Sequence, residues 1–448
     1  MTESDLIKSL LPIARHVVRG PSMRRPMIAG YDVKPGERAL LVVNSFYDEA
    51  VVEAVMVAIR EAGATVDCIT LDAGADRELD EIDEFRGFIH NWPGIEENSP
   101  LRTWIERCRW AEKVADEENY DILIHTIGIP FPATRYRYEG IQWFTRAIFP
   151  AAVFPYALWE KIDSKTWAQV WEKGKGGRVR ITDPEGTDVS CTLLDEYYDP
   201  ARFARTKSRP DFAAKPTFGH LHLRPTPPMS ESDDGSGVIA GTTNHMSRPY
   251  PRIKVFVENG KVASIEGGGK YGDAWRDLLE GTRGIQYPEF PGKGLGYWWE
   301  AALGTHPKMR RPRNAFWVSG GGTVFERRRS GIIHCGIGTP LEGPSEEWAA
   351  EKGLPYGHLH VHLLFPTVEI TCRDGEKIKL IDRGHLTALD DPEIIAFASD
   401  FGDPKEVLRE DWFAPIPGVS VDGDYLRDYA PDPATWLKKN GYAPESVL

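Results

Sequence analysis

The segment Gly357-His-Leu-His-Val-His-Leu363 constrains this 448-residue chain more than any other stretch. Polar and apolar residues alternate strictly, so the segment has a period of two and reads as a β-strand. In such a strand His358, His360 and His362 project from one face, and Leu359, Val361 and Leu363 from the other. The apolar face must be buried against a core. The imidazole face leaves two readings open: a polar strand face turned to solvent, or rings two residues apart that share a metal ion. Histidine is concentrated here, since eight of the chain's 12 histidines lie between His220 and His362, among them His222, His245, His306 and His334.

The period-two texture extends back to about residue 166. Arg178–Thr182 and Asp188–Leu194 flank a turn at Asp183–Gly186. Arg252–Glu258 and Lys261–Glu266 flank Asn259-Gly260, a dipeptide suited to the positive φ angles of a two-residue hairpin. Val368–Arg373 and Lys377–Asp382 flank Asp374-Gly375 in the same way. Residues 166–395 therefore read as a mainly antiparallel β (α+β) domain carrying the metal site. Residues 1–165 read differently. Arg38–Asn44 is a compact apolar run, Asp48–Ala62 has apolar residues at helical spacing, and Val66–Leu71 and Tyr120–Thr126 are further apolar runs. Strand, helix and strand in this order predict a right-handed βαβ unit and a Rossmann-like α/β domain. No glycine-rich phosphate loop follows Asn44. Residues 396–448, rich in Asp and Pro with Trp412 and Trp436, read as a C-terminal extension packed on the rest. Gly267-x-Gly269-x-x-Gly272 follows a hairpin strand, with no parallel strand and acidic partner behind it. It reads as a strand-to-helix turn rather than a nucleotide loop.

Composition narrows the function. Acidic residues outnumber basic ones, 67 to 54, for a net charge of −13, which argues against nucleic acid as a partner. The basic clusters Arg310–Arg313 and Arg327–Arg329 are short, and read as solvated faces or as contacts for a substrate carboxylate. No apolar run reaches the ~18 residues that cross a bilayer. Met1–Arg19 does not read as a signal peptide. The five scattered cysteines suggest no disulfide framework, so a cytoplasmic location is expected.

Other segments add donors. Gly331-Ile-Ile-His-Cys-Gly-Ile-Gly338 sets His334 in a glycine-rich apolar run, and Phe218-Gly-His-Leu-His222 repeats the His-x-His spacing at His220 and His222. Tyr297–Pro307 carries Glu300 amid aromatics. A buried carboxylate without a partner is costly, so Glu300 is a ligand, a partner of a ligand, or exposed. Trp298 and Trp299 are candidate walls of an aromatic pocket.

In this order these segments resemble the aminopeptidase T family of metallopeptidases and their relative 2,5-dihydroxypyridine 5,6-dioxygenase. The resemblance spans about residues 30–390 and rests on Val33–Val43, Val179–Asp188, Ile253–Leu279, Glu300–Pro307, Gly331–Gly338 and Leu359–Ile370. It implies a metal site in the C-terminal domain. In the peptidases two metals are held by two glutamates, two histidines and an aspartate. Glu300 matches the second glutamate, His334 the first histidine and His360 the second. His220 stands in place of the first glutamate and His362 in place of the aspartate, which removes two negative charges that would offset repulsion between two ions. The dioxygenase relative uses one ferrous ion, and the equivalent positions here are His334, His360 and His362.

The expectation is therefore a mononuclear non-haem Fe(II) enzyme, with Mn or Zn as alternative metals. His334, His360 and His362 are the expected ligands, and His358, His220 and Glu300 the acid/base or orienting groups. The expected activity is a ring-cleaving dioxygenase, with a hydroxylated or amino-substituted aromatic or N-heteroaromatic acid and O2 as partners. The resemblance also implies a homo-oligomer. The alternatives are a metal-dependent hydrolase and a metal-binding protein without catalysis.

Overall fold

The computed structural model describes residues 2–21, 30–72, 100–125, 136–140, 144–198, 219–224, 228–244, 249–311, 325–340 and 343–441. His245 and Arg313 lie outside these. The chain is mixed α/β with three sheets among the described residues.

The first part contains helix α1 (Glu3–Arg19), strand β1 (Arg38–Asn44), helix α2 (Glu49–Glu61), strand β2 (Thr65–Leu71), helix α3 (Pro100–Glu117), and strands β3 (Ile122–His125) and β4 (Arg137–Gly140). Helix α1 begins at a reciprocal cap between Thr2 and Asp5, and α2 begins where the Asp48 side chain accepts from Ala50 N–H. The strands form a parallel sheet in the order β2-β1-β3-β4. β1 is buried from Ala39 to Asn44, as a central strand covered on both faces must be. Leu10, Ala14 and Val17 of α1 join Val51, Val55 and Ile59 of α2 in one apolar cluster over that sheet.

Helix α4 (Tyr156–Ala168) leads into the β-rich part, and its Leu158 and Ile162 belong to the larger core there. Eight strands form one antiparallel sheet: β5 (Arg178–Asp183), β6 (Thr187–Thr192), β8 (Ser236–Thr243), β9 (Pro249–Glu258), β10 (Lys261–Gly267), β14 (Thr367–Thr371), β15 (Lys377–Asp382) and β16 (His385–Leu386). The β9–β10 hairpin turns at Asn259 and Gly260 with φ of 48° and 75°, the positive pair the dipeptide predicts. Gly267, Gly268 and Gly269 all have positive φ and carry the chain from β10 into helix α5 (Gly269–Thr282), so the glycine motif is a strand-to-helix turn.

The third sheet has the order β13-β12-β11-β7 and is antiparallel throughout, with β7 (Leu221–Arg224), β11 (Trp298–Leu303), β12 (Ile333–Gly338) and β13 (His358–Leu363). β13 packs on β8 of the larger sheet. Their apolar faces share one core with Tyr271, Trp275 and Leu278 of α5. The C-terminal segment lays Ala414, Ile416, Tyr429 and Leu437 against Ile332, Leu364 and Phe365 at the ends of β12 and β13. No helix among the described residues is long and apolar enough to cross a membrane.

One tie between the C-terminal segment and the sheet is titratable. His385 Nδ1 lies 2.6 Å from Glu410 and Nε2 2.8 Å from Asp390, while Ser330 donates to Glu410. The bond to Glu410 is the main cause that pushes the imidazole up to about 9, against its burial and with help from Asp390. A raised folded-state value means stability that is fully present below the unfolded value of 6.5 and is lost as pH rises through about 9. We therefore predict that the urea midpoint falls between pH 6.5 and 10, and that His385→Asn flattens this slope. Equal slopes in the two proteins would exclude the link.

Candidate metal centre

The third sheet has two unlike faces. Leu221, Leu223, Ala301, Leu303, Ile333, Cys335, Ile337, Leu359, Val361 and Leu363 point into the core. The opposite face carries His222, Glu300, Ala302, His334, Gly336, His358, His360 and His362, with His220 just before β7. Every one of these polar side chains is buried. Strand register explains which of them meet. His222, Ala302, His334 and His362 form one row across four strands. Glu300, Gly336 and His360 form the next row, and Gly338 with His358 the one after.

Glycine at 336 opens the middle of this arrangement. A Cβ there would lie 2.6 Å from Glu300 Oε2 and 2.8 Å from His360 Nε2. Without it, Glu300 reaches over β12 to place Oε2 3.0 Å from His360 Nε2. Glu300 Oε1 lies 3.3 Å from His220 Nε2, 3.3 Å from His334 Nε2 and 3.6 Å from His222 Nε2. The His220 and His334 rings stack at 5° with their Nε2 atoms 2.6 Å apart. Two donor groups result, each within 4.8 Å: His220, Glu300 and His334, and Glu300, His358 and His360. Glu300 is common to both.

Backbone carbonyls fix two of the imidazole tautomers. His358 Nδ1 lies 2.9 Å from Thr339 O, and His222 Nδ1 lies 3.1 Å from Arg224 O. A carbonyl only accepts, so each Nδ1 carries the proton and each neutral ring keeps its lone pair on Nε2, that of His222 lying 3.6 Å from Glu300 Oε1. The rings are neutral because burial depresses them: His334, His358 and His360 each to about 3, and His220 and His222 below their ordinary value. Burial alone would raise the Glu300 carboxyl. The pull of His334, His220 and His360 outweighs it and holds the group well below the usual carboxylate range.

An ionised carboxylate thus sits in a buried site, held by His334, His220 and His360, with the His222 Nε2 lone pair 3.6 Å from its Oε1. Taking such an anion out of water costs several kcal/mol, and neutral imidazole donors offset only part of that. A divalent cation among these atoms would be attracted to the carboxylate and to the imidazole lone pairs together. The donor set therefore fits a metal ion, with Glu300, His220, His334, His358 and His360 as the residues that would hold it. Behind them, the Tyr271 hydroxyl bonds both the N–H and the C=O of His360, each at 3.1 Å, and steadies the edge strand β13.

The expected trio is not the tightest set. Ring centroids of His334, His360 and His362 are 5.5, 5.6 and 6.0 Å apart, and His362 belongs to neither donor group. Its row contains Ala302, whereas Glu300 sits one row away beside His360. Glu300, His220 and His358, expected as acid/base or orienting groups, stand among the donors instead. Trp299 meets the His358 ring edge-on at 5.5 Å. Trp298 lies beneath the Arg224 guanidinium at 4.2 Å, its indole donating to Glu300 O at 2.7 Å. Gly336, Ala302 and Tyr271 were not singled out by the sequence. The signal for Ala302 and Gly336 was a small residue in each of β11 and β12, and only register gives it meaning.

No family model matches the sequence, and no curated protein does. Two solved structures are similar at the level of a distant fold relationship. One is the dihydroxypyridine dioxygenase of Pseudomonas putida KT2440, at 13% identity and a TM-score of 0.40, covering 86% of this chain and 98% of that one. The other is wild-type AmpT from Thermus thermophilus, at 14% identity and a TM-score of 0.43, covering 85% of this chain and 99% of that one.

Two substitution sets test the ligand assignment by calorimetric titration of the metal-stripped protein with Zn2+ or Fe2+. Glu300→Gln and His334→Ala should each weaken binding by about 100-fold or more, while His362→Ala changes it by less than about tenfold. Gly336→Ala, which touches neither ligand chemically, should cost roughly 10–100-fold because its methyl group fills the gap between Glu300 and His360. Unchanged affinity in Gly336→Ala would refute this account of the cradle.

Proposed function

We propose that the protein is a metal-dependent enzyme whose ion is held by Glu300 with histidines from the β7, β12 and β13 segments, and that it is a mononuclear non-haem Fe(II) dioxygenase. Its substrate in this reading is a hydroxylated or amino-substituted aromatic or N-heteroaromatic acid, cleaved with O2. We read the N-terminal parallel sheet as a Rossmann-like unit. The observation that carries the proposal is the buried, ionised Glu300 carboxylate set 3.0 to 3.6 Å from four imidazole Nε2 atoms, because a single carboxylate with two or more histidines is the donor set of non-haem iron oxygenases.

Iron bound there supplies a Lewis-acid face for a chelating substrate and electrons for O2. The remaining work belongs to the chain. Glu300 offsets the charge of the ion. Arg224 O and Thr339 O lock His222 and His358 so that each presents Nε2. An imidazole that is not a ligand can accept a substrate hydroxyl proton at that Nε2. Burial of the whole face excludes bulk water.

A hydrolase with Zn or Mn is the second reading, favoured by one feature: Glu300 belongs to both donor groups, as a carboxylate bridging two ions would. Metal analysis of protein purified without chelators, followed by anaerobic loading, separates the two. One equivalent of iron with O2 uptake on hydroxy- or aminobenzoates and hydroxynicotinates supports the dioxygenase. Two equivalents of Zn or Mn with turnover of aminoacyl anilides, and no O2 uptake, would overturn it.

A further inference from the structure

The basic run Arg327–Arg329 is not absorbed by the metal centre. Helix α6 (Phe325–Arg328) ends where the chain runs alongside the continuation of β11. There His306 N–H donates to Arg328 O at 2.8 Å, and Ser330 N–H donates to His306 O at 3.0 Å. Gly304 permits this approach, since a Cβ there would lie 2.1 Å from Arg329 O and 2.5 Å from Arg328 C. The Arg328 side chain is thereby held in the interior, 1% exposed. Its Nε and Nη1 have no acceptor among the described residues.

Among the described residues no acid forms an ion pair with it. Asp163 acts on Arg328 electrostatically but is not hydrogen-bonded to it, and its two oxygens accept from Gly219 N–H at 2.8 Å and from the Thr305 hydroxyl. Burial, and then the like charge of Arg327, push the Arg328 guanidinium well below its ordinary range. Gly219, bound to Asp163, directly precedes His220. A buried guanidinium with open donors is strongly unfavourable unless an anion completes it. Guanidinium geometry matches a carboxylate, and a monoanion matches the single charge of Arg328.

We propose that Arg328 forms a buried carboxylate-binding site next to the metal centre and takes the acid group of an organic acid substrate. This rests on the metal-enzyme reading above and adds the substrate's anionic handle. The test uses the full chain as purified, by thermal unfolding with benzoate, neutral benzamide and inorganic phosphate, with metal content measured in parallel. Benzoate should raise the unfolding temperature saturably and benzamide should not. Arg328→Met should weaken the benzoate response by about tenfold or more. It should keep the wild-type metal content and melt no lower than wild type without benzoate, because it removes an unpaired buried charge. Arg328→Lys keeps the charge without the fork and decides the matter if the methionine variant does not fold. It too should respond to benzoate more weakly than wild type. The proposal is overturned if benzoate leaves the wild type unchanged, if phosphate stabilises and benzoate does not, or if Arg328→Lys responds like wild type. Wild-type protein that responds to benzoate but binds no metal would instead defeat the metal reading and leave the anion site standing.

Discussion

The Glu300 carboxylate is the constraint around which this part of the molecule is organised. It is buried, ionised, and set 3.0 to 3.6 Å from four imidazole nitrogens. Two of the nearby rings present lone pairs because backbone carbonyls hold their other nitrogen. Each element in turn supports that arrangement. Gly336 removes the side chain that would separate Glu300 from His360. Tyr271 ties down the edge strand. Asp163 bonds the residue that precedes His220.

The sheet suits this chemistry because its two faces have separate tasks. Ten apolar side chains from four strands anchor one face in the core. That burial, at roughly 1.5–3 kcal/mol for a large aliphatic side chain, offsets the cost of a crowded polar face. A slip of one residue in β13 would exchange His360 for a leucine or valine, so register is strongly fixed. The polar face can then carry a buried carboxylate and neutral imidazoles whose desolvation a bound cation would offset, and a bound anion would do the same for the guanidinium of Arg328. Function is supported by stability gained on the other side of the same strands.

Much of the framework was legible in advance. β1 begins and ends where its apolar run does, and the Asn259-Gly260 hairpin forms with the expected backbone angles. The alternation of His358, His360 and His362 gives one face of rings, as read, and the structure buries it. β11 and β12 were harder. Their near-continuous burial erases the period-two signal, and a bulge between Trp298 and Glu300 shifts which residues face the site. Helix α1, with Pro12 in its interior, was not read at all.

What the sequence determined by itself is local: which segments are strands and which histidines share a strand face. Tertiary structure decided the partners. His362 was expected at the centre and Glu300 beside it; register sets Glu300 beside Gly336 and His360 and puts His362 in the row of Ala302 and His334, because cross-strand neighbours are set by how strands align rather than by spacing along one of them. The small residues Ala302 and Gly336 acquire meaning only when three strands lie side by side.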